Sequence, residues 1–229
     1  MNKNFKLIFY AIVILIISVL TYVMFFRPFY LTTVYIHSEK YLRMAEGLKE
    51  IEIKDSSVLF IGNSLMVDFK TSSSSENAVK WAIRGDVLSG LQWRLEALKD
   101  KNPQAIIINL GINDIINGFG FSPEKLEHFI LNFKESLPRS ELYIMSLSPE
   151  SLSPGTFTSP KKIAFEIKEA NKQIENLCST YSLTFIDVYS GLESNGKLIS
   201  DYTTDGLHLT QEGYNVWEKE IIKTIGLTP

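Results

Sequence analysis

The stretch "DGLHLT" (205–210) sets His208, one of only three histidines in the 229 residues, three positions after Asp205. At that spacing the carboxylate can accept from the imidazole Nδ1–H, which leaves Nε2 to take a proton from a hydroxyl. Ser64, in "GNSLMVDF" (62–69), offers such a hydroxyl. Three donors suit a developing oxyanion: the backbone N–H groups of Ser64 and of Gly85 in "RGD" (84–86), and the side-chain amide of Asn113 in "GIND" (111–114). The chemistry such a set performs is nucleophilic acyl transfer. Each residue also has an ordinary structural use. Asn63 or Ser64 can cap a helix, Gly85 can make a turn with Asp86 as cap, Gly111 to Asp114 can form a plain turn, and Thr210 can cap a final helix. Position 66 is Met, so Ser64 does not stand in a Gly-x-Ser-x-Gly elbow.

What must position these residues is read from apolar patterning. The runs "SVLFIG" (57–62), "AIIINL" (105–110), "ELYIMSL" (141–147) and "LTFIDV" (from Leu183) are short and nearly continuously apolar, as strands buried on both faces are. A weaker strand is expected in "AVKWAI" (78–83). Helical spacing joins Val87, Leu91, Leu95 and Leu98, and likewise Leu126, Ile130, Phe133 and Leu137. Ser122–Pro123 and Ser159–Pro160 are helix starts with proline at the first helical position. The second of these opens a helix to about Tyr181 that buries Ile163, Ile167, Ala170, Ile174 and Leu177, and a last helix begins near Thr210. Alternating strands and helices predict a three-layer α/β/α sandwich around a roughly five-stranded parallel sheet. Ligands in such folds lie beyond the carboxyl ends of the strands, and each residue named above follows one of the apolar runs.

With those positions in place the pattern resembles the SGNH-hydrolase superfamily, the GDSL esterases and lipases, over roughly residues 57–226. Its four blocks correspond to Ser64 in "IGNSL", Gly85 in "IRGD", Asn113 in "GIND", and Asp205 with His208 in "DGLHLT". The tail "DGLHLTQEGYNVW" is similar to the bacterial branch resembling platelet-activating-factor acetylhydrolase. Two positions depart from the pattern: Asn63 stands where the namesake motif has Asp, and Ile83 where Asn is frequent. The resemblance implies a flavodoxin-like SGNH fold and a serine esterase with the triad Ser64, His208, Asp205. It also implies an oxyanion hole of Ser64, Gly85 and Asn113, with no metal and no organic cofactor. The substrate expected is an acyl ester, of short chain or O-acetyl, on a small molecule, a lipid or an O-acylated glycan. An O-acyltransferase acting on envelope glycans with the same triad is the alternative, and a non-catalytic glycan-binding domain of this fold is a third.

Composition bounds the partners. A net charge of −3 and 21% charged residues give no basic excess for nucleic acid. The single cysteine, Cys178, excludes an intrachain disulfide and a cysteine-based zinc cluster, and its helical setting reads as a small buried apolar residue. From Leu7 to Phe26 no charge occurs for twenty residues, enough for a helix to cross ~30 Å of hydrocarbon. The run ends in "FFRPFY" without the small residues of a cleavage site, so an uncleaved signal anchor is expected. Lys3 and Lys6 favour a cytoplasmic amino terminus, which places the bulk of the chain on the extracytoplasmic side of a single-pass cell-membrane protein. The expected organisation is a cytoplasmic tip and anchor (1–27), a juxtamembrane connecting segment (28–56) and the hydrolase domain (57–229).

Overall fold

Residues whose side chains are apolar at every position cannot leave either face of a strand in water, and this dictates the centre of the molecule. The computed structural model describes residues 3–22, 35–70, 77–152 and 159–226. Two helices come first, α1 (Lys3–Thr21) and α2 (Glu39–Lys49). The alternating part then runs β1 (Val58–Gly62), α3 (Ser64–Asp68), β2 (Ala78–Lys80), α4 (Gly90–Leu98), β3 (Ala105–Asn109), α5 (Ile112–Ile116), α6 (Pro123–Ser136) and β4 (Glu141–Met145). It ends with α7 (Pro160–Thr180), β5 (Thr184–Ile186), α8 (Tyr189–Leu192), the strand pair β6 (Glu193–Ser194) and β7 (Lys197–Leu198), and α9 (Gln211–Ile225).

The five main strands form one sheet in the order β2-β1-β3-β4-β5, parallel throughout. β1 and β3 are buried at all five of their positions, so helices must cover both faces of the sheet. The chain leaves β1 toward β2 on one side and crosses back to β3 on the other. The switch in direction therefore falls between β1 and β3, where a crevice opens at the carboxyl ends. Ser64 follows β1 and Asn113 follows β3, and the strand ends that deliver them pair as Gly62 with Asn109.

The weak second strand is shorter than the sequence predicts, ending at Lys80, yet its ladder continues. Trp81 N–H donates to Phe60 O (2.8 Å) and Ile83 N–H to Gly62 O (3.0 Å). The helices begin where the caps place them. Ser122 accepts from Lys125 N–H, Ser159 from Lys162 N–H, and Thr210 from Gly213 N–H. Leu91, Leu95 and Leu98 face the core from α4, and Leu126, Ile130 and Phe133 do so from α6. On α7 the buried stripe is Ile163, Ile167, Ala170, Ile174 and Cys178, with Leu177 only half-buried. Burial pushes the Cys178 thiol up to about 12, which keeps it protonated and inert.

The chain divides into two compact units, Met1–Leu42 and Arg43–Pro229. Within the second, Ile51 and Ile53 pack against the core and Trp81 Nε1–H donates to Leu48 O (2.8 Å). Among the described residues no helix is long and apolar enough to cross a membrane. The expected span from Leu7 to Phe26 is covered by α1 only as far as Thr21, and its residues 23–26 lie outside the described ones. So do the serines at 72–75.

Candidate active site

Ser64 is the first residue of α3, placed there by its neighbour. Asn63 is extended, wholly buried, and caps the helix by accepting from Leu65 N–H (3.0 Å). The cap and the hydroxyl thus belong to adjacent residues, and the structural use of Asn63 frees Ser64 from that duty. From α9, the Tyr214 hydroxyl donates to Leu65 O (2.8 Å), while Phe69, Tyr214 and Trp217 cluster with ring centroids 5.7–5.8 Å apart. These contacts fasten the end of the chain to the helix that carries Ser64.

Asp205 and His208 lie in the loop leading into α9. Asp205 folds its carboxylate over that loop: Oδ1 accepts from Leu207 N–H (2.9 Å) and His208 N–H (2.7 Å), and Oδ2 lies 2.7 Å from His208 Nδ1. His208 Nε2 lies 3.0 Å from Ser64 Oγ. A continuous hydrogen-bonded chain therefore joins residues 144 positions apart in sequence. Burial alone pushes the Asp205 carboxyl up, but the bonds from the His208 side chain and the two backbone N–H groups outweigh it and hold the group below its ordinary value. The loop is braced by a neighbouring segment. Gly206, at φ 87°, donates to Thr203 Oγ1 (2.9 Å) and its carbonyl accepts from Ser151 N–H (2.8 Å). A Cβ at Gly206 would meet Ser151 O at 2.7 Å, so only glycine fits.

Gly85, at φ 76°, and Asn113 are linked through the residue between the two loops, since Asn113 Nδ2–H donates to Asp86 O (2.9 Å). One amide hydrogen of Asn113 is thereby engaged and its plane is set, which leaves the second hydrogen for another acceptor. Below this lies a buried polar cluster that sequence reasoning missed. Asp86, wholly buried, pairs with Arg94 of α4, which is also buried and donates to Trp81 O (2.8 Å). Asp114 Oδ2 accepts from Leu88 N–H (3.1 Å). Asp86, read from sequence as a possible cap, and Asp114, read as part of a plain turn, are instead interior anchors of the Gly85 and Asn113 loops. A signal existed: Arg94 falls within the apolar stripe of α4, three after Leu91, where a charge requires a buried partner.

Burial, reinforced by the nearby Asp86, pushes the Asp114 carboxyl from its ordinary 3.8 up to about 7. Between those values the unfolded chain has lost a proton that the folded chain keeps, so stability falls as pH rises. Unfolding free energies measured in urea should decline from about pH 4 to about pH 7 and level off above it. Asp114→Asn is expected to flatten that slope; an unchanged slope would assign it to other groups.

Among the described residues no cluster of three or more His, Cys, Asp or Glu side chains could hold a metal. What stands at the carboxyl edge is a hydroxyl, an imidazole and a carboxylate in line, beside the two loops that carry Gly85 and Asn113. Residues 67–216 match the GDSL-like Lipase/Acylhydrolase family, 150 of the 229 positions. The chain belongs to that family. The matched span contains Gly85, Asn113, Asp205 and His208, and Ser64 stands three residues before it. Members of the family are described as lipases and acylhydrolases.

Solved structures share its fold. A Streptococcus pneumonia protein assigned as a platelet activating factor is 24% identical with a TM-score of 0.69, over 80% of this chain and 91% of that one. A GDSL-like lipase from Bacteroides thetaiotaomicron VPI-5482 is 22% identical with a TM-score of 0.67, over 81% and 97%. An acetyl-xylooligosaccharide esterase from Geobacillus Stearmophilus is 14% identical with a TM-score of 0.60, over 78% and 98%. Among curated proteins, the N-acylneuraminate cytidylyltransferase of Streptococcus agalactiae serotype III (strain NEM316) is 23% identical over 182 residues. That match takes in 76% of this chain and 40% of the relative, so the chain spans about two-fifths of the length of the curated relatives it matches.

Proposed function

We propose that the chain is a membrane-anchored serine esterase that removes a short acyl group, in the first instance O-acetyl, from an alcohol or sugar. The observation that carries this reading is the hydrogen-bonded line from Ser64 Oγ through His208 to Asp205. In the first half-reaction Ser64 Oγ bonds to the ester carbonyl carbon as His208 Nε2 takes the hydroxyl proton. Asp205 holds the imidazole in the tautomer with Nδ1 protonated and stabilises its charged form. The oxyanion accepts from the N–H groups of Ser64 and Gly85 and from the Asn113 amide, each donor contributing on the order of 10²–10³ in rate. The carbon–oxygen bond to the alcohol then breaks, and that oxygen leaves with the proton from His208. Water, deprotonated by His208, cleaves the acyl-serine and restores the enzyme.

The choice of O-acetyl takes its lead from the neighbour named for acetyl-xylooligosaccharides. Anchoring rests on α1, along which most large apolar side chains from Phe5 to Leu20 are 50–64% exposed. Continued to Phe26, the same run supplies the length of a single span with the catalytic unit on the extracytoplasmic side.

A fluorophosphonate probe tests the core of the proposal. Labelling of the full chain should occur at Ser64 and vanish in Ser64→Ala, with acetate released from 4-nitrophenyl acetate at the same site. A folded protein that neither labels nor hydrolyses would count for the binding-domain reading. Acetate transfer to an added sugar, in place of release to water, would count for the transferase.

A further inference from the structure

Beside the catalytic loop lies a cleft of ≈ 760 Å³ between the start of α7 and the β6–β7 turn. One wall is the segment Ser151–Leu152, whose backbone is bonded to Gly206 between Asp205 and His208. Gly206 and His208 are two residues apart, a reach of at most about 7 Å along the chain. The cleft therefore adjoins the loop that carries His208. His208 delivers its proton to the departing oxygen, so the alcohol half of the ester must lie toward the imidazole and the loop that carries it.

The lining is specific in character. Phe165 projects from α7 with 64% of its surface exposed, giving a bare aromatic face beside Leu152. Glu150 is only 2% exposed, and its carboxylate borders the cleft while accepting from Leu152 N–H. Such a carboxylate accepts from hydroxyls, and an apolar ring covers the C–H face of a sugar. Three cations surround them: Lys161 and Lys168 from α7, and Lys197 from β7. Lys168 reaches across to the turn, since its Nζ would lie 3.2 Å from a Cβ placed on Gly196. Among the lining residues three positive charges face one carboxylate, an excess that a neutral sugar would leave unanswered.

We infer that this cleft holds the leaving-group half of the substrate and that this half is an anionic sugar. The inference rests on the esterase reading above and adds the substrate class. Leu152, Phe165 and Glu150 hold the ring and its hydroxyls, while Lys161, Lys168 and Lys197 meet its negative group. Long-range attraction of this kind weakens as salt shortens the Debye length from about 10 Å at 0.1 M to about 3 Å at 1 M.

The test uses two esters that differ in one charge, methyl glucuronide and methyl glucoside acetylated at the same hydroxyl. The full-length protein should show a kcat/KM for the glucuronide about tenfold or more above that for the glucoside at low salt, as expected if three exposed cations each add a fraction of a kcal/mol. The preference should shrink at 1 M salt. In Lys161→Glu/Lys168→Glu/Lys197→Glu it should vanish or invert. A control with Lys99, Lys101 and Lys219 changed to Glu, none of which lines the cleft, should keep it. Equal rates for the two sugar esters in the wild type, or a preference that survives the cleft variant, would overturn the inference. If Ser64-dependent hydrolysis of 4-nitrophenyl acetate persists in that event, the esterase reading stands alone. If that hydrolysis is also missing, both fall.

Discussion

His208→Ala is expected to lower kcat for 4-nitrophenyl acetate on the order of 10⁴- to 10⁶-fold, with KM changed by no more than a few-fold. The imidazole lies within hydrogen-bonding distance of Ser64 Oγ, so its removal leaves the hydroxyl without that base. The fold should survive. The His208 side chain is 36% exposed, and the loop keeps its shape through the bonds that Asp205 and Thr203 make to backbone groups. Stopped-flow or endpoint kinetics together with a thermal melt checks both halves of the expectation. A variant that melts normally and keeps more than a tenth of its activity would remove His208 from the mechanism.

Arg94→Met carries the second large effect, and it falls first on stability. Arg94 and Asp86 are 3% and 0% exposed, and the arginine is the counter-charge of the aspartate. Removing one partner of a buried pair strands the other and costs about 3–5 kcal/mol. For a domain of this size that corresponds to a drop of about 6–20 °C in Tm. Arg94→Met/Asp86→Asn should recover most of the loss, because no charge then remains in the interior. Activity should fall further than stability explains. The carbonyl of Asp86 holds the Asn113 amide and Asp86 follows Gly85 directly, so a displaced Asp86 moves two of the proposed oxyanion donors at once. The measurement is kcat against KM at a temperature where both variants are folded. A loss confined to KM would sever the cluster from the oxyanion site.

How much of this was legible in sequence varies with the range of the interaction. Helix starts were, because a cap is satisfied within three residues: Ser122, Ser159 and Thr210 each accept from the backbone N–H three residues on. Strand interiors were, because continuous apolarity has few other outlets in a chain of this length. Strand ends were less so. "ELYIMSL" leaves the sheet at Met145 because Ser146 turns its hydroxyl to Val188 and Tyr189 N–H, and β5 stops at Ile186 because Asp187 caps the turn at Ser190. The β6–β7 pair was passed over although its signal was present. Asn195 and Gly196 both take positive φ, as a two-residue hairpin turn requires.

The sequence by itself determined which chemical groups are available and at which strand ends they emerge. Residue type and period-two or period-3.6 burial are local properties. That sufficed for the α/β class, the family resemblance and the positions of Ser64, Gly85, Asn113, Asp205 and His208. Only the tertiary structure decided what those groups do to one another. The 3.0 Å contact between His208 and Ser64 closes a loop of 144 residues and depends on Tyr214 and Trp217 packing α9 against Phe69. The burial that makes Asp86 and Asp114 interior groups exists only once the chain has folded over them. The lysine-lined cleft likewise forms where α7 meets β7, elements nearly forty residues apart at their cleft ends, from Lys161 to Lys197. Contacts between distant segments depend on the free energy of the whole packed core, and no local window of residues contains that quantity.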